Sequence, residues 1–434
     1  MTYVRLVLNL AVVLGAFAAC ADDWPEVQGA GRRSLWEETG ILRQFPAGGL
    51  SYTWRTAIGA GYSGPAVAGG RVFVADYITR DGVGSERALC LDEQTGAILW
   101  THENPAAEYK KFAYNSGPRA TPTVDGDRVY FLGGAGDLYC LDVATGTLRW
   151  QVNFPRDFGS RIPTWGFAGA PLAHQGLVLC AAGGKDNARL VALDRNTGAV
   201  VWKALPSNSD LGYAPPILIN AAGVDQLIHQ AANTVAAVNP LTGAVLWEQA
   251  IEASIPCATP VVADDKLFVT DFWQGSTLLR LLPNRPGVEV LWHRKGANEV
   301  NTDALHGLMC TPIIADGCIF GIDSYGQLRG LKLDTGDRLW ETIDATQEKA
   351  RWANAFLFRN RDAYFIVNDR GELVIAELSA TGYKELGRVN LIEPTTGGGG
   401  TRELKLVNWV LPAFANGHIV TRNDREIVRA RLTP

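Results

Sequence analysis

LYCLDVATGTLRW, residues 138–150, carries the pattern on which the fold rests. A β-rich run ends at Asp142, a turn is centred on Thr145-Gly146, and a second run ends at Trp150. The pattern recurs as ALCLDEQTGAILW (88–100), LVALDRNTGAVVW (190–202), VAAVNPLTGAVLW (235–247) and LRGLKLDTGDRLW (328–340). Degenerate copies end at Trp292 and Leu386, and Trp54 marks one more terminal strand near the start. The period of roughly 45–52 residues, with strand-like composition throughout, is that of a β-propeller whose blades have four strands each.

Each copy is preceded by a hairpin, as in ATPTVDGDRVYFLGG, where Asp125-Gly126-Asp127 turns between two β-rich runs. Equivalent turns are Gly69-Gly70, Gln175-Gly176, Asp264-Asp265, Asp316-Gly317, Arg361-Asp362 and Asn416-Gly417. Most supply the Asn, Asp or Gly that tolerates a left-handed backbone in tight hairpins. In the following D-x-x-T-G turn, Asp92, Asp142 and Asp194 are placed to accept from nearby backbone amides, and the glycine relaxes the chain. Asn239 and Lys332 replace the Asp in two copies. The recurrent tryptophans (Trp54, Trp100, Trp150, Trp202, Trp247, Trp292 and Trp340) fit the gaps between neighbouring sheets, where a large ring buries most area.

First strands start near Gly64-Pro65, Thr121-Pro122, Ala170-Pro171, Ala214-Pro215, Thr259-Pro260, Thr311-Pro312, Asn354-Ala355 and Leu411-Pro412, which predicts eight blades. The last of these runs out of chain before its fourth strand, and LSYTWRT around Trp54 has the signature of the missing piece. The expectation is an all-β, eight-bladed propeller over residues 50–434, closed by an N-terminal strand that completes the last blade. Such closure removes the exposed sheet edges that invite aggregation. Residues 22–49 read as a lead-in segment.

These repeats resemble the tryptophan-docking repeats of quinoprotein-type (PQQ-binding-like) propellers, among them PQQ-dependent dehydrogenases and the outer-membrane assembly lipoprotein BamB. The opening DDWPEVQGAGRRSLWEETG is similar to that of exported bacterial members. The resemblance runs from about Asp22 to the end and specifies fold far better than activity. In the enzymes it implies pyrroloquinoline quinone between a Trp floor and a disulfide of neighbouring cysteines, beside a calcium held by Glu, Asn and Asp. This chain has no adjacent Cys pair, no haem motif and no segment matching those calcium ligands, so no cofactor, metal or catalytic residue is assigned. A non-catalytic binding or scaffold propeller for an envelope protein or a glycan is the leading expectation. A quinoprotein-like oxidoreductase or a carbohydrate-active enzyme working on the channel face is the alternative.

The formal net charge of −5, without a basic run, argues against nucleic acid as a partner. Arg5 followed by the apolar Leu6–Ala19 reads as a secretory signal over residues 1–21, too short for a membrane span. Ala19-Cys20-Ala21 is an Ala-x-Ala release site, and Phe17-Ala18-Ala19-Cys20 approximates a lipobox that would lipidate Cys20. Export to the periplasm or cell surface, released or tethered, follows from either reading, and a monomer is expected. Cys90, Cys140, Cys180, Cys257, Cys310 and Cys318 sit singly in strand-like runs and read as small apolar filler, with a disulfide permitted by the compartment.

No two histidines have metal-ligand spacing, and His174 and His418 lie at hairpin turns, where exposure is the default. Gly59-Ala60-Gly61-Tyr62-Ser63-Gly64 matches GxGxxG, but Pro65 and a hairpin follow where a nucleotide site needs a helix. The loops that enter the first strands are the candidate binding face. They carry Tyr114, Asn115, Arg119, Trp165, Tyr213, His306, Arg351, Trp352, Asn354, Asn408 and Trp409. Their mixture of aromatics, amides and charges suits a sugar, a peptide or a protein edge.

Overall fold

The computed structural model describes residues 22–105, 109, 112, 114, 116–398 and 402–434. The leader at 1–21, with Cys20, and the candidate Asn115 lie outside the described residues. Eight antiparallel sheets stand around one axis. Blade one comprises Ala66–Ala68, Arg71–Arg80, Val83–Asp92 and Ile98–Pro105. Blades two to seven follow in chain order, opening with Thr123–Asp125, Leu172–His174, Ile217–Ala221, Val261–Ala263, Ile313–Ala315 and Ala355–Asn360. Opening strands of successive blades approach one another and ring the axis.

Blade eight is built from both ends of the chain. Its order is Ala413–Ala415, His418–Arg422, Glu426–Arg431 and then Tyr52–Ala57. Trp54 lies opposite Arg429 and Thr56 opposite Ile427, so the N-terminal strand completes this sheet as the sequence predicts.

The D-x-x-T-G turn is a socket for the preceding blade. Asp142 Oδ1 accepts from the amides of Ala144 and Thr145, both at 3.0 Å, and from the Thr145 hydroxyl at 3.0 Å. These bonds fix the turn so that Gly146 takes φ 71°, a conformation that other residues reach only at a cost. A Cβ there would stand 2.6 Å from the Trp100 ring, so the bare glycine face is what lets the indole lie down. The Trp100 Nε1–H then donates to Val143 O at 3.0 Å. The same joint links Trp54 to Glu93 O (2.8 Å), Trp150 to Arg195 O (2.9 Å) and Trp202 to Pro240 O (3.0 Å). It also links Trp292 to Leu333 O (3.0 Å) and Trp340 to Ser379 O (2.8 Å).

Two joints depart from the rule, each for a local reason. Trp247 donates instead to Gln226 Oε1 of its own blade, at 2.7 Å. The next blade connects its last two strands through LPNRPG (282–287), which lacks the D-x-x-T-G turn. At the joint between blades seven and eight, the acceptor turn does not exist, because the last two strands of blade eight come from opposite chain ends. Gly387, opposite Ile375, stands where the tryptophan would be; Leu386, which the sequence repeat puts there, is the bulged residue before it. The lead-in segment fills the gap there: Phe45 packs on Gly387, and Leu42 N–H donates to Leu432 O at 2.8 Å. The Tyr52 hydroxyl donates to Leu391 O at 2.7 Å.

The first part of the lead-in crosses the ring itself. Trp24 exchanges both backbone hydrogen bonds with Val67 of blade one, and Pro25 O accepts from Val124 of blade two. Arg32, buried, donates to Pro171 O (2.5 Å) and Pro216 O (2.7 Å) at the entrances of blades three and four. Gln28 Nε2 donates to Thr311 Oγ1 of blade six at 2.5 Å, and Leu35–Trp36 adds a parallel strand to Ala355–Asn360 of blade seven. Trp24 and Trp36 pack against Phe414 of blade eight, at ring-centroid distances of 5.8 and 4.8 Å. The segment read from sequence as a lead-in is therefore a plug across the axis.

The six cysteines among the described residues are free; Cys90, Cys140, Cys180 and Cys318 are buried in strands and Cys310 in the loop that enters blade six. His418 is half-buried, not exposed: its Nδ1 lies 2.5 Å from Asn416 O, and burial pushes its pKa down to about 4. His229, on Val224–Ala231 of blade four, is fully buried without a hydrogen bond to either ring nitrogen among the described residues, which pushes its pKa down to about 3.

Trp150 is buried and Trp340 half-buried in otherwise similar joints. Trp150→Ala should cost about 3–5 kcal/mol in urea unfolding, and Trp340→Ala clearly less. For His229 the unfolded chain binds the extra proton below the ordinary value of 6.5, so stability falls as pH drops toward about 3. Between pH 7 and pH 5 this histidine should remove about 2 kcal/mol, and His229→Leu should flatten that part of the stability–pH curve.

Candidate functional site: an aromatic cup on the ring axis

The plug turns the channel into a cup. A cavity of about 210 Å³ lies on the axis, floored by Val27 and Gln28 and walled by loops from all eight blades. The loops entering the first strands bring six predicted residues into its wall: Tyr114, Arg119, Trp165, Tyr213, Trp352 and Trp409. Tyr114 packs edge-on against both Trp352 (5.7 Å between centroids) and Trp409 (5.3 Å). Across the cup, Trp165 lies 5.2 Å from Tyr213, whose hydroxyl oxygen accepts from the Trp165 amide at 3.3 Å. Trp165, Trp352 and Tyr114 remain half-exposed.

Arg119 is the one charged side chain among the described lining residues. It donates to Gly117 O at 2.7 Å and to Tyr114 O, and its guanidinium sits 5.0 Å from the centre of the Tyr62 ring. Burial lowers its pKa and raises those of Tyr62, Tyr114 and Tyr213, so the phenols keep their protons at neutral pH. Glu86 also acts on Arg119, but it is enclosed, its own pKa is raised by burial, and it is held by the Tyr109 hydroxyl and the Gly134 amide.

The other predicted residues stand behind or beside the wall. His306 is a fully buried strut: Nδ1 meets Phe272 O at 2.9 Å, and Nε2 accepts from Gly296 N–H at 3.1 Å. Arg351 lies over Trp352 (4.8 Å) and bonds Glu299 at 2.8 Å. Asn354 and Asn408 are buried around Asp369. The Asn354 amide donates to Asp369 Oδ2 at 3.0 Å, and the Asn408 amide to Asp369 O at 2.8 Å. Arg402 closes this cluster, bridging Glu348 (2.6 Å) and Asp369 (2.8 Å) while donating to Trp352 O at 3.3 Å. It pins the loop carrying Trp409 to the loop carrying Trp352.

Several wall residues escaped the sequence reading. Tyr62 lies in the GxGxxG match, which enters a strand and not a helix. Its glycines serve close packing: a Cβ on Gly64 would stand 2.5 Å from Leu411 O. Trp273 comes from the loop between the second and third strands of blade five, not from a loop that enters a first strand. Gln28 and Val27 come from the plug, for which the repeat offers no template.

Quinoprotein chemistry would need acidic ligands for calcium beside the quinone. The described lining holds no carboxylate, and no group of three or more His, Cys, Asp or Glu among the described residues is placed to hold a metal ion. Cys257 stands alone in the wall, its thiol pushed up by burial. The residues present do not suit that cofactor.

Comparison with known proteins agrees with the repeat. The sequence profile of the family described as "Outer membrane protein assembly factor BamB" matches residues 84–342, from the third strand of blade one to the last of blade six. The outer membrane protein assembly factor BamB of Yersinia pestis is 26% identical over 352 residues, covering 76% of each chain. The crystal structure of BamB from Moraxella catarrhalis superposes with TM-score 0.57 at 16% identity, covering 88% of this chain and 99% of that one. Quinohemoprotein alcohol dehydrogenase from Comamonas testosteroni gives TM-score 0.61 at 12% identity, over 95% and 82%, and so shares the fold. With more than half its length matched by that profile, the chain belongs to the BamB family of PQQ-like β-propellers.

Proposed function

We propose that this chain is exported and acts at the cell envelope as a non-catalytic binding propeller that holds protein partners of outer-membrane assembly. The family match over blades one to six carries the reading, since the relatives it brings are named for outer-membrane protein assembly. The physical character of the ring supports it. Indole joints and a plug touching most blades make a stiff platform, and stiff platforms hold loop surfaces ready to bind at little ordering cost. No helix of the described residues is long and apolar enough to cross a membrane, so attachment would come through the leader or through partners.

The test is crosslinking in the native host with the chain's own N-terminus intact, followed by fractionation and mass spectrometry. Enrichment of outer-membrane assembly proteins over an unrelated exported propeller is the expected result. A chain that stays in the cytosol, or that captures no envelope protein above that control, overturns the reading.

A further inference from the structure

The floor of the cup holds a polar group that the fold leaves over. Gln28, from the plug, lines the cavity and is only 3% exposed. Its Nε2 donates to Thr311 Oγ1 at 2.5 Å, and that oxygen also accepts from the Thr259 amide at 3.1 Å. One end of the glutamine amide is thereby fixed. The other end, Oε1, is buried with no hydrogen-bond partner among the described residues. Folded chains seldom leave a buried acceptor so, because its lost hydration goes uncompensated. The backbone of Gln28 also sits at φ 63°, in the left-handed region that glutamine rarely occupies. Strain of this kind persists where surrounding structure enforces it and gathers at binding sites. On the wall, Trp409 Nε1 is likewise buried without a partner.

Size and wall chemistry set the body of the ligand. The volume of about 210 Å³ is too small for a peptide segment or a drug-sized molecule, for which pockets run to about 300 Å³ and above. It exceeds the roughly 150 Å³ that suffices to enclose a benzene ring. Trp352 and Trp409 cluster with Tyr114 on one side, and Trp165 pairs with Tyr213 on the other. Such walls reward a flat, apolar ring. They penalise a sugar, whose several hydroxyls would lose water without gaining enough partners.

Charge is disfavoured in either sign. Arg119 gives an anion no seat, because its two terminal nitrogens already donate to Gly117 O and Tyr114 O. A cation would meet the positive charge of Arg119 and, among the described lining residues, no carboxylate. A neutral ring remains. A hydroxyl on that ring donates one hydrogen bond and accepts others, so it can satisfy Gln28 Oε1 where a plain hydrocarbon cannot.

We infer that the axial cup is a binding site for a small neutral phenol, with the ring between the aromatic walls and the hydroxyl donating to Gln28 Oε1. This inference stands apart from the envelope-assembly reading and can fail without it.

The experiment titrates the purified chain with p-cresol and, separately, with toluene, 4-methylbenzoate and glucose, following heat and ligand-observed NMR. At pH 7 the p-cresol hydroxyl keeps its proton, since phenols titrate near about 10. Saturable one-to-one binding of p-cresol is expected, about tenfold tighter than toluene, which has the same shape but leaves the glutamine oxygen unpaired. Gln28→Met should erase that preference while toluene still binds, and Trp352→Leu should weaken both. A preference that survives Gln28→Met, or p-cresol binding untouched by Trp352→Leu, overturns the assignment. Should Gln28→Met fail to fold, a crystal structure of the unmodified chain with p-cresol decides: a hydroxyl within hydrogen-bond distance of the Gln28 amide supports it, and a ring seated elsewhere overturns it. No saturable binding of p-cresol up to about 5 mM overturns it. Toluene, 4-methylbenzoate or glucose binding as tightly as p-cresol overturns it as well.

Discussion

The contact between an indole and a bare glycine turn organises this molecule. A propeller sheet buries nothing alone, because both of its faces need neighbours. Six tryptophans, all of the set but Trp247, sit in the outer strand of one blade, lie on the T-G turn of the next and donate their one N–H to the carbonyl that follows the Asp position. The joint therefore combines area burial, which is non-directional, with a hydrogen bond that fixes angle and register. Repeated around a circle, it sets the pitch between sheets. The opening strands then approach one another at the axis, and the space left between them becomes the cup.

A ring made from one chain has a seam, and here the seam explains the exceptions. Because the last sheet takes its outer strand from residues 52–57, that sheet has no turn to receive an indole, and Gly387 takes the place of the tryptophan facing it. The lead-in supplies the missing cover with Phe45 and Leu42, and then its earlier part runs across the axis through Trp24, Gln28 and Arg32. One segment thus seals the seam and floors the channel. Fold and candidate site share a cause: without the plug, the aromatic wall would line an open pore.

The fold was largely legible because its determinants are local and repeated. Trp, Gly and Asp recur at fixed offsets, and turn residues punctuate the strands, so blade number and the terminal closure followed from spacing. The cup was legible in part. Aromatics in the entry loops pointed inward, since those loops meet at the axis whatever their sequence. His306, Asn354 and Asn408 share those loops but serve as struts, a difference that depends on side-chain direction and not on position along the chain. Trp273 and Tyr62 were missed because their loops belong to another strand connection or were read for a nucleotide motif. The plug was illegible for a deeper reason: Gln28 and Arg32 bond to carbonyls and hydroxyls more than a hundred residues away, and no periodicity announces such contacts.

Closure through the chain's own N-terminal strand is the claim on which blade count, seam and cup depend. Amide hydrogen exchange read by mass spectrometry tests it directly on the unmodified protein. The amides of residues 52–57 that bond across to 426–431 should exchange as slowly as that partner strand, and both should open only in the global unfolding step. Exchange of 52–57 at the rate of an exposed loop such as 296–301, while 426–431 stays protected, would contradict the account.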